Sequence, residues 1–427
     1  MSDPLAVRTP ITLPWVLVLS SLLGLGLALR LHAFEFPAGF FFDEYHFVEN
    51  ARNYLDHKAD WNDHPPLGKL IIAGSIRILG DRALAWRLPS LIAGLFTVVV
   101  SGLTVARLFR SRNAGVVAAA LLASDGFLIS YSRIGVLDGM LTASFALALL
   151  LTTFRWTPRL AIAAGVVLGS AANIKFSGIC LALPLWVSIS LDESSWARKA
   201  AWAVNLGAVG AVVYLGLYAL GLEFAGQPTG VIAVVQDSQR LLQHHAGLTE
   251  MKHPYVSGWA TWFLPRRAIV MARIDTLGEA RVLTMLGNLA TWWTAVLVSG
   301  AVLWKVLVQG FAVVRNQSTD ENASPLTRFV VSHGKAVLVL GSAVFAFLAP
   351  WMLSHRDSYL YHFLPSYLAL VMLLGGAVGW VRLLRPGLAL GFLCVVLVVA
   401  AFYAPVWSFM PIRASAVNTR LFLEGWR

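Results

Sequence analysis

The chain has 427 residues, of which 58% are hydrophobic and only 13% are charged, and its mean hydropathy is +0.70. Soluble domains carry about 25% charged residues, so this composition excludes a string of ordinary soluble domains and indicates a polytopic membrane protein. The formal net charge of +11 comes from basic residues scattered between apolar segments. That distribution argues against a nucleic-acid-binding surface and is typical of membrane orientation signals. Cys180 and Cys394 both lie in apolar stretches, which excludes a disulfide scaffold and a cysteine-based zinc site.

The hydropathy pattern predicts eleven transmembrane helices, each a mostly apolar stretch close to the roughly 20 residues that a span needs. The predicted spans are 11–30, 87–106, 114–131, 137–154, 159–174, 176–191, 200–222, 289–313, 336–353, 359–380 and 387–409. The fifth and sixth are short and separated only by Lys175, so ten spans is the alternative count. We therefore predict one all-α transmembrane domain over residues 1–427, with two long loops at 31–86 and 223–288.

Basic residues in the short loops predict the orientation, because cytoplasmic loops are enriched in lysine and arginine. Alternate loops carry them: Arg107, Arg110, Arg112, Arg155, Arg159, Arg198, Lys199, Arg315, Arg328, Lys335, Arg382 and Arg385. These loops are predicted to be cytoplasmic, together with the N-terminus. Both long loops and the C-terminus then lie outside, and the outer side also receives nearly every unusual polar cluster of the chain.

The first outer loop contains two adjacent carboxylates, Asp43 and Glu44, directly after the aromatic run Phe40–Phe42. At interfacial depth, desolvation raises a carboxylate pKa and improves it as a base. Adjacent side chains point apart on a helix or a strand, so we expect one carboxylate to face the reaction and the other to orient a partner. The alternative is a solvated acidic loop with aromatic membrane anchors.

A second motif in this loop is His64-Pro65-Pro66-Leu67-Gly68-Lys69. The prolines disfavour helix before them, and an apolar pattern from Leu67 predicts a helix in the membrane interface. Lys69 falls in its first turn, which is unfavourable for the helix dipole. We interpret Lys69 as a phosphate ligand, helped by the free amides of the helix start; contact with lipid headgroups is the alternative.

Further ionisable residues lie at predicted span ends, where burial is costly and a partner or cavity is expected. Arg133 and Asp138 could pair with each other, whereas Lys175 has apolar sequence on both sides. Arg356 is followed by Tyr361 and His362, a cation among aromatic groups that suits a phosphate or a sugar. His244, His245 and His253 have the side-chain type of metal ligands but no ligand spacing, so we predict no metal site.

Taken together, these motifs resemble the protein O-mannosyltransferases of the GT-C glycosyltransferase superfamily over roughly residues 40–365. The matching segments are Asp43-Glu44-x-His46-Phe47, His64-Pro65-Pro66-Leu67-Gly68-Lys69, Gly165-x-x-x-Gly169-x-Ala171-x-x-x-Lys175-Phe176-x-Gly178, His253-Pro254-Tyr255-x-Ser257-x-Trp259-x-x-Trp262, Gly287-Asn288 before Trp292-Trp293, and Arg356-x-x-x-x-Tyr361-His362-Phe363-x-Pro365. Two features depart from the family. The loop 223–288 is too short for the β-trefoil domain of eukaryotic members, and Phe176 stands where the family has tryptophan. The chain therefore resembles a compact bacterial member, in which the acceptor is less well defined than the fold and the donor.

The resemblance implies an inverting transfer of mannose from a polyprenyl-phosphate donor to a Ser/Thr hydroxyl of a protein, at the outer face of a bacterial plasma membrane and without a cofactor. It implies Asp43 as the base and Glu44 as the residue that positions the acceptor. The expected ligands of the donor phosphate and sugar are His64, Lys69, Arg133, Asp138, Lys175, Arg356, Tyr361 and His362. On the acceptor side of the outer loops we expect His46, His253 and Trp259.

Two other functions stay open at this point. The same donor chemistry could serve a lipid or an envelope polysaccharide as acceptor. A transporter for the lipid-linked sugar is the second alternative, although transporters favour internal repeats and sites at mid-membrane, and this chain has no evident repeat and concentrates its polar groups at one face.

Overall fold

The computed structural model describes residues 12–59, 63–249, 253–315 and 323–427, with side chains described throughout except at 309–315. Within these ranges the chain is mainly helical. The first half contains α1 (Leu13–Leu31), α2 (Glu44–Leu55), α3 (Leu67–Leu79), α4 (Ala83–Leu108), α5 (Arg112–Ala123), α6 (Gly126–Tyr131), α7 (Leu137–Leu151), α8 (Pro158–Ile174), the 3₁₀-helix Phe176–Leu181, α9 (Ala182–Ser190) and α10 (Trp196–Phe224).

The second half contains α11 (Val231–Ala246), the 3₁₀-helix Trp259–Thr261, β1 (Val270–Thr276), β2 (Glu279–Thr284), α12 (Leu289–Arg315), α13 (Pro325–Ser332), α14 (Gly334–Leu353), the 3₁₀-helix Leu360–Phe363, α15 (Leu364–Leu384), α16 (Pro386–Trp407), β3 (Ile412–Arg413), α17 (Ala414–Arg420) and the 3₁₀-helix Glu424–Trp426. Every predicted span coincides with a helix or a pair of consecutive helices in this order.

Seven helices of the described chain are long and apolar enough to cross a membrane: α1, α4, α10, α12, α14, the segment Leu360–Leu384 and α16. Four shorter apolar helices, Arg112–Ala123, Leu137–Leu151, Pro158–Ile174 and Phe176–Ser190, coincide with the remaining four predicted spans. The polytopic helical fold is therefore confirmed, while the count of eleven spans stays a prediction.

Close contact between α8 and α10 depends on two glycines of the recognised motif. A Cβ on Gly165 would lie 2.8 Å from the Leu206 carbonyl oxygen, and a Cβ on Gly169 would lie 2.4 Å from that of Gly210. Small residues at this spacing let helix backbones approach closely within a membrane. The Gly165–Gly169 pair thus belongs to the scaffold that carries Lys175 at the end of α8.

The long loop 223–288 contains two strands of an antiparallel sheet that the all-α prediction did not include. The strand order is β1-β2-β3, with Val270 to Thr276 paired to Thr284 to Glu279, and with β3 added from the C-terminal segment. The sheet connects the segment after α16 to the loop before α12, and the domain stays mainly helical.

Candidate active site

Asp43 is the residue just before the first turn of α2, at the position where a side chain commonly caps a helix. Phe42 precedes it with φ at 52°, a left-handed conformation that is uncommon and strained for a phenylalanine. The Asp43 side chain makes no capping hydrogen bond to α2, and no described residue donates a hydrogen bond to its carboxylate. The turn at Phe42 therefore presents a half-buried carboxylate with free acceptor capacity.

Four charged or titratable side chains act on Asp43: Lys175, Asp138, His46 and His253. Burial raises the pKa of the Asp43 carboxyl above its usual range, Lys175 lowers that pKa, and Asp138 raises it further. A raised pKa makes a carboxylate a stronger base. The environment is the one that the sequence predicted for this position.

Glu44, the adjacent carboxylate, has a different environment. It is fully buried and pairs with the equally buried Arg87, with Nε–Oε1 at 2.8 Å and Nη2–Oε2 at 3.0 Å. It also accepts hydrogen bonds from the backbone amides of Gly135, at 2.9 Å, and Phe41, at 3.3 Å. The expectation that Glu44 contacts the acceptor does not fit this geometry, because all its oxygens bind the protein itself. Arg87 was not identified from the sequence as this partner, although a charged residue at the start of a predicted span is expected to need one.

Lys175 marks the end of α8, where the backbone becomes extended before the 3₁₀-helix Phe176–Leu181. Its Nζ donates to both carboxylate oxygens of Asp138, each at 2.9 Å, and lies 5.4 Å from the centroid of the Tyr361 ring. Gly178 permits this tight reversal, since a Cβ there would lie 2.3 Å from the Ala171 carbonyl oxygen. Lys175, Asp138 and Tyr361 are thus brought together near Asp43, and their role in binding the donor stays a prediction.

Arg133 lies apart from this group, and the suggested Arg133–Asp138 pair does not form. Its Nη1 donates to the carbonyl oxygens of Leu29 and Arg30, the latter at 2.9 Å, and the residue is 2% exposed. These contacts hold the end of α1. Its buried Nε has no hydrogen-bond partner within the described residues, so binding of the donor phosphate by Arg133 stays a prediction beside this anchoring role.

Lys69 also has a structural environment. It is fully buried, and its Nζ donates to the His64 carbonyl oxygen. Asn173, missed in the sequence, accepts from the Leu67 backbone N–H at 3.1 Å and so binds the start of α3, which begins at Leu67 as predicted. Lys69 was expected to contact phosphate. Its ammonium is instead buried and holds the His64 backbone in place, which does not support that expectation.

A group of nitrogen donors lies next to the Lys175–Asp138 pair. His64 stacks on His245 with ring centroids 5.1 Å apart, and His362 packs on Trp351 at 3.7 Å. The charge of Arg356 acts on all three histidines, and that of Lys175 does as well. His64, His362 and Arg356 were predicted for this place. His245 was missed because its position depends on how α11 packs.

Two nitrogens of this group have unused hydrogen-bonding capacity. Arg356 Nε and His245 Nδ1 are buried and have no hydrogen-bond partner within the described residues. Burial, together with the nearby cations Lys175 and Arg356, lowers the pKa of His64 well below its usual range and that of His245 to about 4. The imidazoles are therefore neutral near pH 7, with the fixed charge coming from Arg356 and Lys175. Such an arrangement suits a phosphate, for which charge-assisted hydrogen bonds are strong.

The residues predicted to meet the acceptor are His46, His253 and Trp259. His46 and His253 are exposed and act on the Asp43 carboxylate, and the His253 ring lies 5.7 Å from that of Tyr359. Trp259 is half-buried and packs against the apolar core instead. Two exposed histidines therefore lie near Asp43, whereas Trp259 packs against the apolar core.

Comparison with protein families identifies the family to which the chain belongs. Three models match successive parts of the chain: two described as dolichyl-phosphate-mannose-protein mannosyltransferase match residues 20–86 and 63–235, and one described as the C-terminal four-transmembrane region of protein O-mannosyltransferase matches residues 234–426. The chain belongs to the protein O-mannosyltransferase family. It is therefore a glycosyltransferase, and the predicted family and enzyme class are confirmed.

Among the similar proteins is the polyprenol-phosphate-mannose–protein mannosyltransferase of Mycobacterium tuberculosis, which is 28% identical over 477 aligned residues covering 90% of this chain and 86% of the relative. The Pmt1-Pmt2 protein O-mannosyltransferase complex of S. cerevisiae bound to the sugar donor has a similar fold, with a TM-score of 0.81 at 14% identity, covering 98% of this chain and 93% of that one. ArnT of Cupriavidus metallidurans bound to undecaprenyl phosphate gives 0.56 at 13% identity, covering 92% and 76%. These two likenesses confirm the GT-C fold predicted for this member of the protein O-mannosyltransferase family.

Proposed function

We propose that this protein transfers mannose from a polyprenyl-phosphate-mannose donor to a hydroxyl group of a protein acceptor at the outer face of a bacterial plasma membrane. The observation that carries the proposal is Asp43, a half-buried carboxylate with no capping role, placed beside a group of phosphate-suited nitrogens. The name of the mycobacterial relative supports the donor and the class of acceptor.

The transfer step requires a base on one side of the sugar and a stabilised leaving group on the other. The Asp43 carboxylate takes the proton of the acceptor hydroxyl while that oxygen forms a bond to the anomeric carbon of mannose. The bond between this carbon and the phosphate oxygen breaks, and its electron pair stays on the polyprenyl phosphate. One displacement of this kind inverts the anomeric configuration, and a positioned base contributes typically 10²–10⁴-fold to its rate.

The leaving phosphate gains negative charge, which fixed cations and hydrogen-bond donors stabilise. We assign this role to Arg356, whose buried Nε has no partner within the described chain, to Lys175, and to the imidazoles of His64, His245 and His362. Asp138 keeps Lys175 in place. Tyr361, whose ring faces the Lys175 ammonium, is left to pack against the sugar.

The activity is tested with purified protein, polyprenyl-phosphate-mannose and a Ser/Thr-rich peptide. We expect mannosylated peptide whose new linkage has the opposite anomeric configuration to the donor. The Asp43→Asn variant serves as the negative control. Transfer only to a lipid or to an envelope polysaccharide would contradict the protein acceptor, and hydrolysis or transport of the donor without any transfer would contradict the function itself.

The orientation follows from the basic inner loops and is tested separately by thiol labelling. In a background without Cys180 and Cys394, Arg112→Cys is expected to react only with reagents that reach the cytoplasm. Gly247→Cys, at the exposed end of α11, is expected to react from outside. The reverse pattern would place Asp43 and the donor site on the cytoplasmic side.

A further inference from the structure

Helix α11 (Val231–Ala246) has an unusual distribution of side chains for an outer-loop helix. Four large apolar residues, Val231, Ile232, Val235 and Leu242, are between 43% and 74% exposed. Three glutamines, Gln236, Gln239 and Gln243, are also exposed. The helix therefore presents both apolar and polar side chains away from the rest of the protein.

These exposed residues separate into two adjoining arcs. At about 100° per residue, Val231, Val235 and Leu242 fall within one narrow arc of roughly 40°. Gln236, Gln239 and Gln243 fall in the next arc, and Ile232 lies among them. A helix with an apolar strip bordered by an uncharged polar strip is typical of one that lies at the boundary between lipid and water.

The opposite side of α11 is fixed to the outer end of α10. The Tyr218 hydroxyl donates to Asp237 Oδ2 at 2.7 Å, and Arg240 Nε donates to Asp237 Oδ1 at 2.8 Å. Val234 and Leu241 pack with Tyr218 in a small apolar cluster. These contacts fix the rotation of α11 about its axis, so the apolar arc is held facing outward.

The helix that precedes α11 in the chain has the length and composition of a membrane span. Helix α10 crosses the membrane by length and composition, and its Val204, Val212 and Leu220 are exposed along its length. Leu220 lies near the outer end of α10, from which the chain passes directly into α11. Helix α11 itself has 16 residues, about 24 Å of helix, which is short of a span of roughly 30 Å.

We propose that α11 lies in the outer membrane interface, with Val231, Val235 and Leu242 in contact with the hydrocarbon of outer-leaflet lipids and the glutamines in contact with water. The side chain of His245 falls on the edge of the lipid-facing arc, on the side toward the protein, where it stacks on His64. The helix thus sets the depth of His245 at the level of lipid phosphates. This last consequence rests on the proposed function, whereas the placement of the helix does not.

The placement is tested with nitroxide labels in a background lacking Cys180 and Cys394, in proteoliposomes of phosphatidylethanolamine and phosphatidylglycerol. A label at Val235→Cys is expected to collide mainly with oxygen, which concentrates in lipid. A label at Gln239→Cys, one turn along and also exposed, is expected to collide mainly with a water-soluble nickel chelate. Equal nickel accessibility at the two positions would overturn the proposal, and this readout needs no enzymatic activity.

A second measurement connects the placement to the donor. Val235→Asp is expected to raise the KM for the lipid-linked donor at least severalfold, while Gln239→Asp, a matched charge on the water side, leaves the KM near that of the unaltered protein. If both variants left the KM unchanged while the labels reported lipid at position 235, the placement of α11 would stand and its link to donor binding would be wrong.

Discussion

Two neighbouring groups of buried or half-buried ionisable residues differ in how far the protein itself uses their hydrogen bonds. The anchor group is Glu44, Arg87 and Arg30. The site group is Asp43, Asp138, Lys175, His64, His245 and Arg356. In the anchor group all three Arg87 nitrogens have protein partners, as do those of Arg30. In the site group, Arg356 Nε and His245 Nδ1 have none within the described chain.

We use the number of satisfied hydrogen bonds, and not the degree of burial, to divide these residues into structural and functional groups. Glu44 is more buried than Asp43, yet its oxygens are occupied by Arg87 and two backbone amides. A buried charge is tolerated when its hydrogen bonds are satisfied, and a group left unsatisfied in a native structure requires an explanation. For the site group we propose the donor phosphate as that explanation, and the predictions below depend on this division.

The largest effect is expected in the anchor group. Arg87→Met leaves the Glu44 carboxylate buried without its partner, and removing one member of a buried pair costs roughly 3–5 kcal/mol. We expect a strongly reduced yield of folded protein and a lower thermal midpoint in detergent. Arg77→Met, at an exposed position of α3, is the matched control and is expected to fold normally. Normal stability of the Arg87 variant would remove the distinction between the two groups.

The next effect separates Arg356 from Lys69. A charge-assisted hydrogen bond contributes roughly 1.5–3 kcal/mol, so Arg356→Met is expected to lower the affinity for polyprenyl phosphate by about ten- to a hundredfold, with an unchanged thermal midpoint. Lys69→Met is expected to lower the midpoint, because its ammonium holds the His64 carbonyl. Competition by polyprenyl phosphate measures the affinity, and the opposite pattern would make Lys69 the phosphate ligand.

A smaller effect concerns pH. The unprotonated Asp43 acts as the base, so activity falls as the pH drops through its pKa, which burial raises and Lys175 lowers. Lys175→Met removes the cation and is expected to move the acid limb of kcat/KM to higher pH. Asp138→Asn removes a carboxylate that raises the Asp43 pKa, so its acid limb is expected at lower pH. Acid limbs that shift in the same direction would mean that Asp43 is not the titrating group.

Those parts of the fold that depend on short stretches of sequence could be predicted. Long apolar stretches gave the order of the helices, and the prolines before Leu67 gave the start of α3, since both signals lie within a few residues. The β1–β2 hairpin is local and was missed because the prediction rested on apolar helical stretches only. The third strand could not be predicted, because it comes from the C-terminal segment and joins β2 from more than 120 residues away in sequence. Short strands in a loop have too little periodicity to indicate such a distant partner.

The candidate site could also be predicted only in part. The sequence indicated Asp43, Lys175 and Arg356 by residue type and position, because ionisable groups at span ends need partners or ligands. It could not indicate which of the ionisable side chains have their hydrogen bonds satisfied by the protein itself. Glu44 and Arg87 are 43 residues apart, and their pairing is decided only when α2 and α4 pack together. His245 was missed for a related reason, since its place depends on the contact between Asp237 and Tyr218.

The most direct test of the division into an anchor group and a site group is a comparison of the two adjacent carboxylates, Asp43 and Glu44. Asp43→Asn keeps the side-chain volume but cannot accept a proton near neutral pH. We expect this variant to fold and bind polyprenyl phosphate normally, while mannose transfer falls by about 10²–10⁴-fold. Glu44→Gln is expected instead to lose stability, because the charge that pairs with Arg87 is gone. An Asp43→Asn protein with near-normal turnover, beside a stable but inactive Glu44→Gln protein, would contradict the account and place the base one residue along the chain.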